Sequence, residues 1–396
     1  MKSKILMIPT YWPIESSPIV GSQVLEQTEL MSEEYDVQVL YCMPGMGLRR
    51  FLFHIFFSFI LKDKGYSFVK GLLSAKVPTF GVYYYQSNFF SDKINDYFRN
   101  RAYFFVFDKL IKGGWEPNLL HSRGYEHGGV IASLLRDKSG IPFVHTENTA
   151  LLLDDYFDTN RLKVYKSVLK SAKMVTTVSH FMKRNTLMHG FLQKDNVQVI
   201  NNPVDSSLFK PIKKNKTNEK FVICITGYDS YIKDFDTCFR AIRTCLSLGY
   251  INFELKVGVT YGSFENLEVI ANQYGILDHC TFIKQVSRSD MPEFVNSSNV
   301  FISTSIIETF GIATLEAMFC GIPVIATKNG GIDDFAKENN SVLIDVGDYI
   351  ALSDAIVAIY EERIKFDAAT IVDSVIHKFD EKSFLNKMIS FYGDHI

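Results

Sequence analysis

Short apolar runs rich in β-branched residues, each followed by a helix-like segment, recur along the whole chain and constrain its fold more than any other feature. The first half gives KILMIPT, DVQVLYC, GVYYY, LLHS, IPFVHT, MVTTVS and VQVIN, and the second gives FVICITG, FELKVGV, CTFIKQ, VFISTS, PVIAT and SVLID. Parallel strands need long crossover connections, so this alternation predicts an α/β chain with parallel sheets. Between the two sets lies PVDSSLFKPIKKNKTNEK, rich in Pro, Lys, Asn and Ser and without an apolar period, which reads as a linker. At 396 residues the chain suits two domains, each with its own core. The expected boundaries are residues 1–203 for a first Rossmann-like domain, 204–219 for the linker, and a second such domain from residue 220. Doubly wound sheets bind ligands beyond the carboxyl ends of their strands, and two such halves facing each other would share a central cleft.

Composition narrows the function classes. With 47% hydrophobic and 22% charged residues the chain is globular rather than disordered, and a net charge of −2 argues against nucleic acid as the main partner. Six cysteines are scattered without a CxxC pair, several inside apolar runs, which points to a reducing, cytoplasmic setting. Met1 to Ile8 resembles a first buried strand more than a secretory signal. The most apolar stretch, residues 51–61 (FLFHIFFSFIL), is flanked by Arg49, Arg50, Lys62 and Lys64. It falls short of the roughly 18–20 residues that span a bilayer. A buried helix with solvated basic ends and an interfacial helix on an anionic membrane face both fit it.

The chemistry concentrates in VFISTSIIETFGIATLEAMFCGIPVIAT, residues 300–327. Val300 to Ser303 read as a buried strand and Ala313 to Phe319 as a helix of strong formers, so Ser305, Glu308, Phe310 and Gly311 lie in the turn. A helix starting there aims unpaired N–H groups and a positive dipole end at a ligand, which suits a diphosphate. Glu308 and Glu316, one on the loop and one in the helix, are each able to accept hydrogen bonds from a pair of hydroxyls. Taken alone, Glu316 is more often a carboxylate stabilised near a helix start, and it is the surrounding passage that favours a ligand.

The string ETFGIATLEAMFCGIPVIATKNGG resembles the E-x7-E segment of GT4-type glycosyltransferases (glycosyl transferases group 1), with Gly321, Pro323, Val324, Gly330 and Gly331 in register. INNPVDSSLFKP is similar to the family's N-G-V-D-x-x-x-F, and FDEKSFLNKMISFY looks like its returning C-terminal helix. The resemblance implies the GT-B fold, with the second domain over 220–374 binding a nucleotide sugar and a helix over 375–396 crossing back to the first. It implies that Glu316 holds ribose hydroxyls and Glu308 the donor-sugar hydroxyls. The backbone of Phe310, Gly311, Ile312 and Ala313, with Ser305 beside it, would meet sugar and phosphate oxygens. Lys233 falls where the family keeps a lysine that neutralises the leaving diphosphate. The family's Gly-Arg is Gly227-Tyr228 here, so a neutral phenol stands where an arginine shares the phosphate load, and Arg123 is a candidate substitute.

In the first domain Gly21 would let the backbone approach the ligand at the start of the first helix, and a plain serine cap by Ser16, Ser17 or Ser22 fits equally. His121, Arg123 and His145 stand near predicted strand ends, where the family often places a histidine. A lone histidine there is more often a hydrogen-bonded structural residue. The histidine that usually follows TE is Asn148 here. Asp234-Phe235-Asp236 spells D-x-D, but Asp236 fits better as a helix-start carboxylate, and no cluster has metal spacing. No G-x-G-x-x-G or Walker A is present.

The expected function is retaining transfer of a sugar from a nucleotide-diphosphate donor to a hydroxyl, independent of metal and without a cofactor. The expected acceptor is a glycan or lipid-linked glycan of surface polysaccharide assembly, handled in the cytoplasm or at the cytoplasmic membrane face. The rivals are a GT-B sugar-nucleotide epimerase and a non-catalytic partner that only binds the nucleotide sugar.

Overall fold

The computed structural model describes residues 2–48, 66–69, 72, 74, 76–149, 159–188, 190, 192–212, 220–259 and 264–393. The apolar segment 51–61 and the end of the expected linker, 213–219, lie outside the described residues. The chain divides into two compact units: residues 1–177, 186–200 and 385–396 form the first, and 178–185 and 201–384 the second.

The first unit carries β1 (Lys4–Pro9), β2 (Asp36–Leu40), β3 (Met43–Pro44), β4 (Thr79–Phe80), β5 (Tyr83–Tyr84), β6 (Leu119–Arg123), β7 (Phe143–Glu147), β8 (Val175–Thr177) and β9 (Val197–Val199). Seven of these form one parallel sheet in the order β4-β2-β1-β6-β7-β8-β9, and β3 pairs with β5. Of the expected strand GVYYY (residues 81–85) only Tyr83–Tyr84 forms a strand, β5, and the preceding Thr79–Phe80 joins the large sheet as β4. Gly81 sits at the break, where a Cβ would lie 1.8 Å from the Tyr41 carbonyl oxygen. Leu6, Ile8, Leu120 and Phe143 pack against Ala102, Tyr103 and Val106 of the helix Asp92–Lys112 and against Ile131 and Leu135 of the helix Val130–Ser139. Strands buried on both faces need such near-continuous apolar runs.

The second unit carries β10 (Phe221–Gly227), β11 (Phe253–Val259), β12 (Cys280–Lys284), β13 (Val300–Ser303), β14 (Val324–Thr327) and β15 (Val342–Ile344), all parallel, in the order β12-β11-β10-β13-β14-β15. Ile223, Ile225, Leu255, Val257 and Ile302 pack on Phe239 and Ile242 of the helix Phe235–Ser247 and on Leu352 and Ile356 of the helix Tyr349–Tyr360. The stretch read as the start of the linker is built into this unit: Val204 pairs with Asp380, and Phe209 is 1% exposed. After the helix Ala368–Phe379 comes the helix Glu381–Gly393, which starts in the second unit and belongs to the first from Leu385 onward.

Both sheets reverse their winding once, between β1 and β6 in the first unit and between β10 and β13 in the second. Such a reversal leaves a crevice beyond the strands' carboxyl ends, because the two flanking loops run to opposite faces of the sheet. These two places are where ligand chemistry is expected.

Candidate functional site

In the second unit the reversal point is lined by the loop after β10 and the loop after β13, and hydrogen bonds zip the two together. The Ile306 N–H donates to the Ile232 carbonyl (2.8 Å), and the Thr304 hydroxyl donates to the Lys233 carbonyl (3.0 Å). Asp234, at φ 45°, caps the helix Phe235–Ser247 by accepting from the Thr237 N–H and hydroxyl (3.2 and 2.7 Å). That explains the D-x-D string without a metal: Asp234 is the cap, and Asp236 lies in the first helical turn, accepting from the Tyr274 hydroxyl at 2.5 Å. Gly227 ends β10 with no side chain because the Lys233 stem passes there, 3.2 Å from where a Cβ would stand.

The result is a polar cluster. Lys233 Nζ donates to Glu308 Oε1 at 2.6 Å, and the Ser305 hydroxyl donates to the same oxygen at 2.8 Å. The Lys233 and Glu308 side chains keep 20% and 17% exposure, enough to meet a ligand. Burial works against the Lys233 ammonium, but attraction and a hydrogen bond from Glu308 outweigh it and raise its pKa above the usual lysine value. Tyr228, half exposed, places its ring centroid 5.8 Å from Lys233 Nζ. Glu308 is fixed from behind by Gly330 and Gly331. The Glu308 N–H donates to the Asn329 carbonyl (3.3 Å), and a Cβ on Gly331 would lie 2.4 Å from the Glu308 carbonyl oxygen.

Beyond Glu308 the chain turns into the helix Ile312–Phe319 through Gly311, at φ 84° and ψ 47°. A Cβ at Gly311 would meet Ile332 at 2.7 Å, so both conformation and space demand glycine. No side chain caps this helix, and Ile312 and Ala313 in its first turn are half-buried. Its leading N–H groups thus lack a side-chain cap, an arrangement that suits an anion. The Phe310 ring is in the core, edge-on to Phe335 at 5.5 Å, so only its backbone is available. Glu316 is nearly buried and pairs with Arg288, a residue that no sequence motif singles out.

The first unit treats its candidates differently. Gly21 is the cap position of the helix Ser22–Met31, at φ 81°, with no serine side chain capping, and a Cβ there would lie 2.8 Å from the Tyr11 carbonyl oxygen. His121 is buried: Nδ1 hydrogen-bonds the Tyr392 hydroxyl and Nε2 the Thr146 hydroxyl (2.7 Å). Burial, reinforced by Arg123 and His145, holds its pKa well below the ordinary histidine value. Arg123 is buried too, donates to Gln27 Oε1, and is pushed down to about 10 by burial. It is enclosed rather than presented as a spare cation. His145 spans the Ser122 hydroxyl (2.8 Å) and Glu147 Oε2 (3.1 Å), while Glu147 Oε1 accepts from the Asn148 and Thr149 N–H groups (2.9 and 2.8 Å). At this unit's reversal point stands an unforeseen π-helical turn, Tyr125–Gly129, carrying half-buried Glu126 and His127. The Thr10 hydroxyl clips it by donating to the Gly124 carbonyl (2.9 Å) and accepting from the Gly128 N–H (3.1 Å).

Among the described residues no group of His, Cys, Asp and Glu is arranged to hold a metal ion, and no helix is long and apolar enough to cross a membrane.

The family model for glycosyl transferases group 1 matches residues 207–371, and that for glycosyltransferase family 4 matches residues 72–208. Over 206 residues the chain is 26% identical to a phosphatidylinositol N-acetylglucosaminyltransferase component of Arabidopsis thaliana, covering 52% of this chain and 46% of that protein. Over 260 residues it is 25% identical to D-inositol 3-phosphate glycosyltransferase 2 of Catenulispora acidiphila, covering 59% and 60%. The chain thus spans about half the length of the curated relatives it matches. Among solved structures, a sucrose-phosphate synthase from Thermosynechococcus elongatus superposes with a TM-score of 0.76 at 18% identity over 100% of this chain and 99% of that one. HepE of Anabaena, solved in complex with UDP and glucose, gives 0.73 at 16% identity over 99% and 100%. The chain belongs to the group 1, GT4-type glycosyltransferases and has their GT-B fold.

Proposed function

We propose that this chain transfers a sugar from a nucleotide-diphosphate sugar to a hydroxyl acceptor with retention of anomeric configuration. The observation that carries this reading is the Lys233–Glu308–Ser305 cluster beside the uncapped start of the helix Ile312–Phe319, at the reversal point of the second sheet. Helix N–H groups and an ammonium favour a diphosphate, and a partly exposed carboxylate favours sugar hydroxyls. In the reaction the acceptor oxygen bonds to the anomeric carbon as the bond to the diphosphate oxygen breaks, and the acceptor proton passes to the departing phosphate. Lys233 stabilises the charge that develops on that phosphate. Glu308 is not assigned as a covalent nucleophile. A double displacement needs two carboxyl groups about 5 Å apart across the bond, and Glu308 is engaged by Lys233 and Ser305. The reaction needs no metal, so turnover is expected to persist in EDTA.

Release of nucleotide from UDP-, GDP- and ADP-sugars by the purified protein tests the reading, with thermal protection selecting the donor. Protection without any nucleotide release would favour a non-catalytic binding role instead.

The acceptor we infer is a glycan or lipid-linked glycan of surface polysaccharide assembly, reached at the cytoplasmic membrane face. The helix Asp92–Lys112 supports a membrane contact: Tyr97 and Ile94 are exposed on it, Arg101 lies 5.7 Å from the Tyr97 ring centroid, and Phe89 just before it is 98% exposed. Aromatic and cationic side chains side by side suit an anionic lipid interface. Co-sedimentation with phosphatidylglycerol vesicles is the expected result, and full recovery in the supernatant would overturn it.

A further inference from the structure

Glu316 is the one ionisable residue of the helix Ile312–Phe319. Its neighbours Leu315, Ala317, Met318 and Phe319 are all buried, and its own side chain is 4% exposed. An ionised carboxylate that deep persists only with a counter-charge and hydrogen bonds. Arg288, 28 positions earlier in the chain, supplies it by donating from Nη1 to Glu316 Oε1.

Arg288 is itself held in place. Its guanidinium carbon lies 4.6 Å from the centroid of the buried Phe209 ring, a geometry that favours a planar cation over a hydrocarbon wall. Phe209 is set by a turn in which Asp205 accepts from the Ser207 and Leu208 N–H groups (2.9 and 3.0 Å). On the other side, the loop carrying Arg288 is closed by the Ser287 hydroxyl, which donates to Asp290 (2.6 Å). Two loops from distant parts of the second unit thus converge on one guanidinium, and that guanidinium on one carboxylate. Side chains built into a site this way hold a functional group to a single geometry.

We infer that Arg288 is a positioning residue for the nucleoside end of the donor: it keeps Glu316 ionised and aimed, so that the enzyme selects a ribonucleotide by its vicinal ribose hydroxyls. This rests on the donor-site reading above and extends it to a residue outside the E-x7-E segment. A carboxylate has lone pairs for up to four donors, so pairing with a guanidinium does not by itself exclude a diol. An aimed carboxylate rewards both hydroxyls, whereas a drifting or protonated one rewards neither.

The test is the ratio of dissociation constants for a 2′-deoxynucleoside diphosphate and its ribo counterpart, using whichever of UDP, GDP and ADP binds wild type most tightly. Wild type is expected to prefer the ribo form by about tenfold, the scale of a hydrogen bond to a charged group. Arg288→Gln is expected to weaken the ribo form by about that factor and bring the ratio near one. Arg288→Lys, which keeps charge but loses the planar fork, should restore only part of it. A glutamine variant that folds and keeps the wild-type ratio would overturn the inference. Should the glutamine variant not fold, the lysine variant decides alone: a reduced ratio supports the inference and an unchanged one overturns it. Failure of the donor-site reading looks different, because wild type would then bind none of the three diphosphates and Lys233→Ala would change nothing.

Discussion

The two sheets end in similar residues with opposite fates. Beyond the second sheet Lys233 and Glu308 are partly exposed, and their polar atoms face each other across the reversal point. At the carboxyl ends of β6 and β7 in the first sheet, His121, Arg123, His145 and Glu147 are wholly buried. Each of these four hydrogen-bonds to neighbouring side chains of its own unit. An ion pair that keeps some water is ready to exchange its partner for a ligand, whereas a buried, satisfied histidine is a fastener. Between these two clusters, the partly exposed ion pair supports chemistry and the four enclosed groups support stability.

The sharpest way to break this contrast is to remove the second unit's pair. Lys233→Ala and Glu308→Ala are each expected to lower turnover about 10²–10³-fold, the usual cost of losing a charge that stabilises a leaving group or fixes a substrate. Nucleotide release from the chosen donor measures it, and substantial activity in both variants would move the site elsewhere.

Gly331→Ala leaves every polar group in place and tests geometry alone. Its Cβ would lie 2.4 Å from the Glu308 carbonyl oxygen, so the Glu308 backbone must shift. Small misplacements of a positioning group are costly, and turnover is expected to fall about tenfold or more. The melting temperature should drop only modestly. Equal loss of activity and folded protein would mean that Gly331 serves the core rather than Glu308.

For the first unit the contrast predicts a pH effect on stability. Because the folded-state pKa of His121 lies well below 6.5, the unfolded chain binds the proton first as pH falls. Stability from this group is therefore complete above pH 6.5 and declines below it, by up to about 1.4 kcal/mol per pH unit. Urea midpoints between pH 7.5 and 5 should show this slope in wild type and a shallower one in His121→Gln. Identical slopes would deny that the buried imidazole is the acid-sensitive group.

Much of this was legible in the sequence because it is local. The strand pattern reports burial on both faces, and the turn between Ser303 and Ile312 itself contains Glu308 and Gly311, two of the residues that shape it. What was not legible depends on distant partners. Tyr392, which encloses His121, is 271 positions away, and Arg288 has no local pattern that announces Glu316. GVYYY carries a strand's composition, but only the close approach of Gly81 to Tyr41 reveals why Thr79–Phe80 and Tyr83–Tyr84 are separate strands. Even the lysine's meaning was contextual, since Lys233 reads as a surface residue until the loop after β13 brings Glu308 within 2.6 Å.

The smallest expected effect concerns Tyr228, where the family's arginine is missing. The Tyr228 ring offers Lys233 a quadrupole at 5.8 Å, a weak interaction at a half-exposed position, so little is lost by removing it. Tyr228→Arg would set a second cation on the loop that leads to Lys233. Without ligand the two cations repel, and thermal stability should fall slightly. With a diphosphate bound the added charge is attractive and partly screened, so affinity should rise by about threefold at low ionic strength and less at high salt. Titration calorimetry at two salt concentrations separates these terms. Unchanged affinity at low salt would mean that the diphosphate does not approach the Tyr228 position, and that the loop after β10 contributes Lys233 alone.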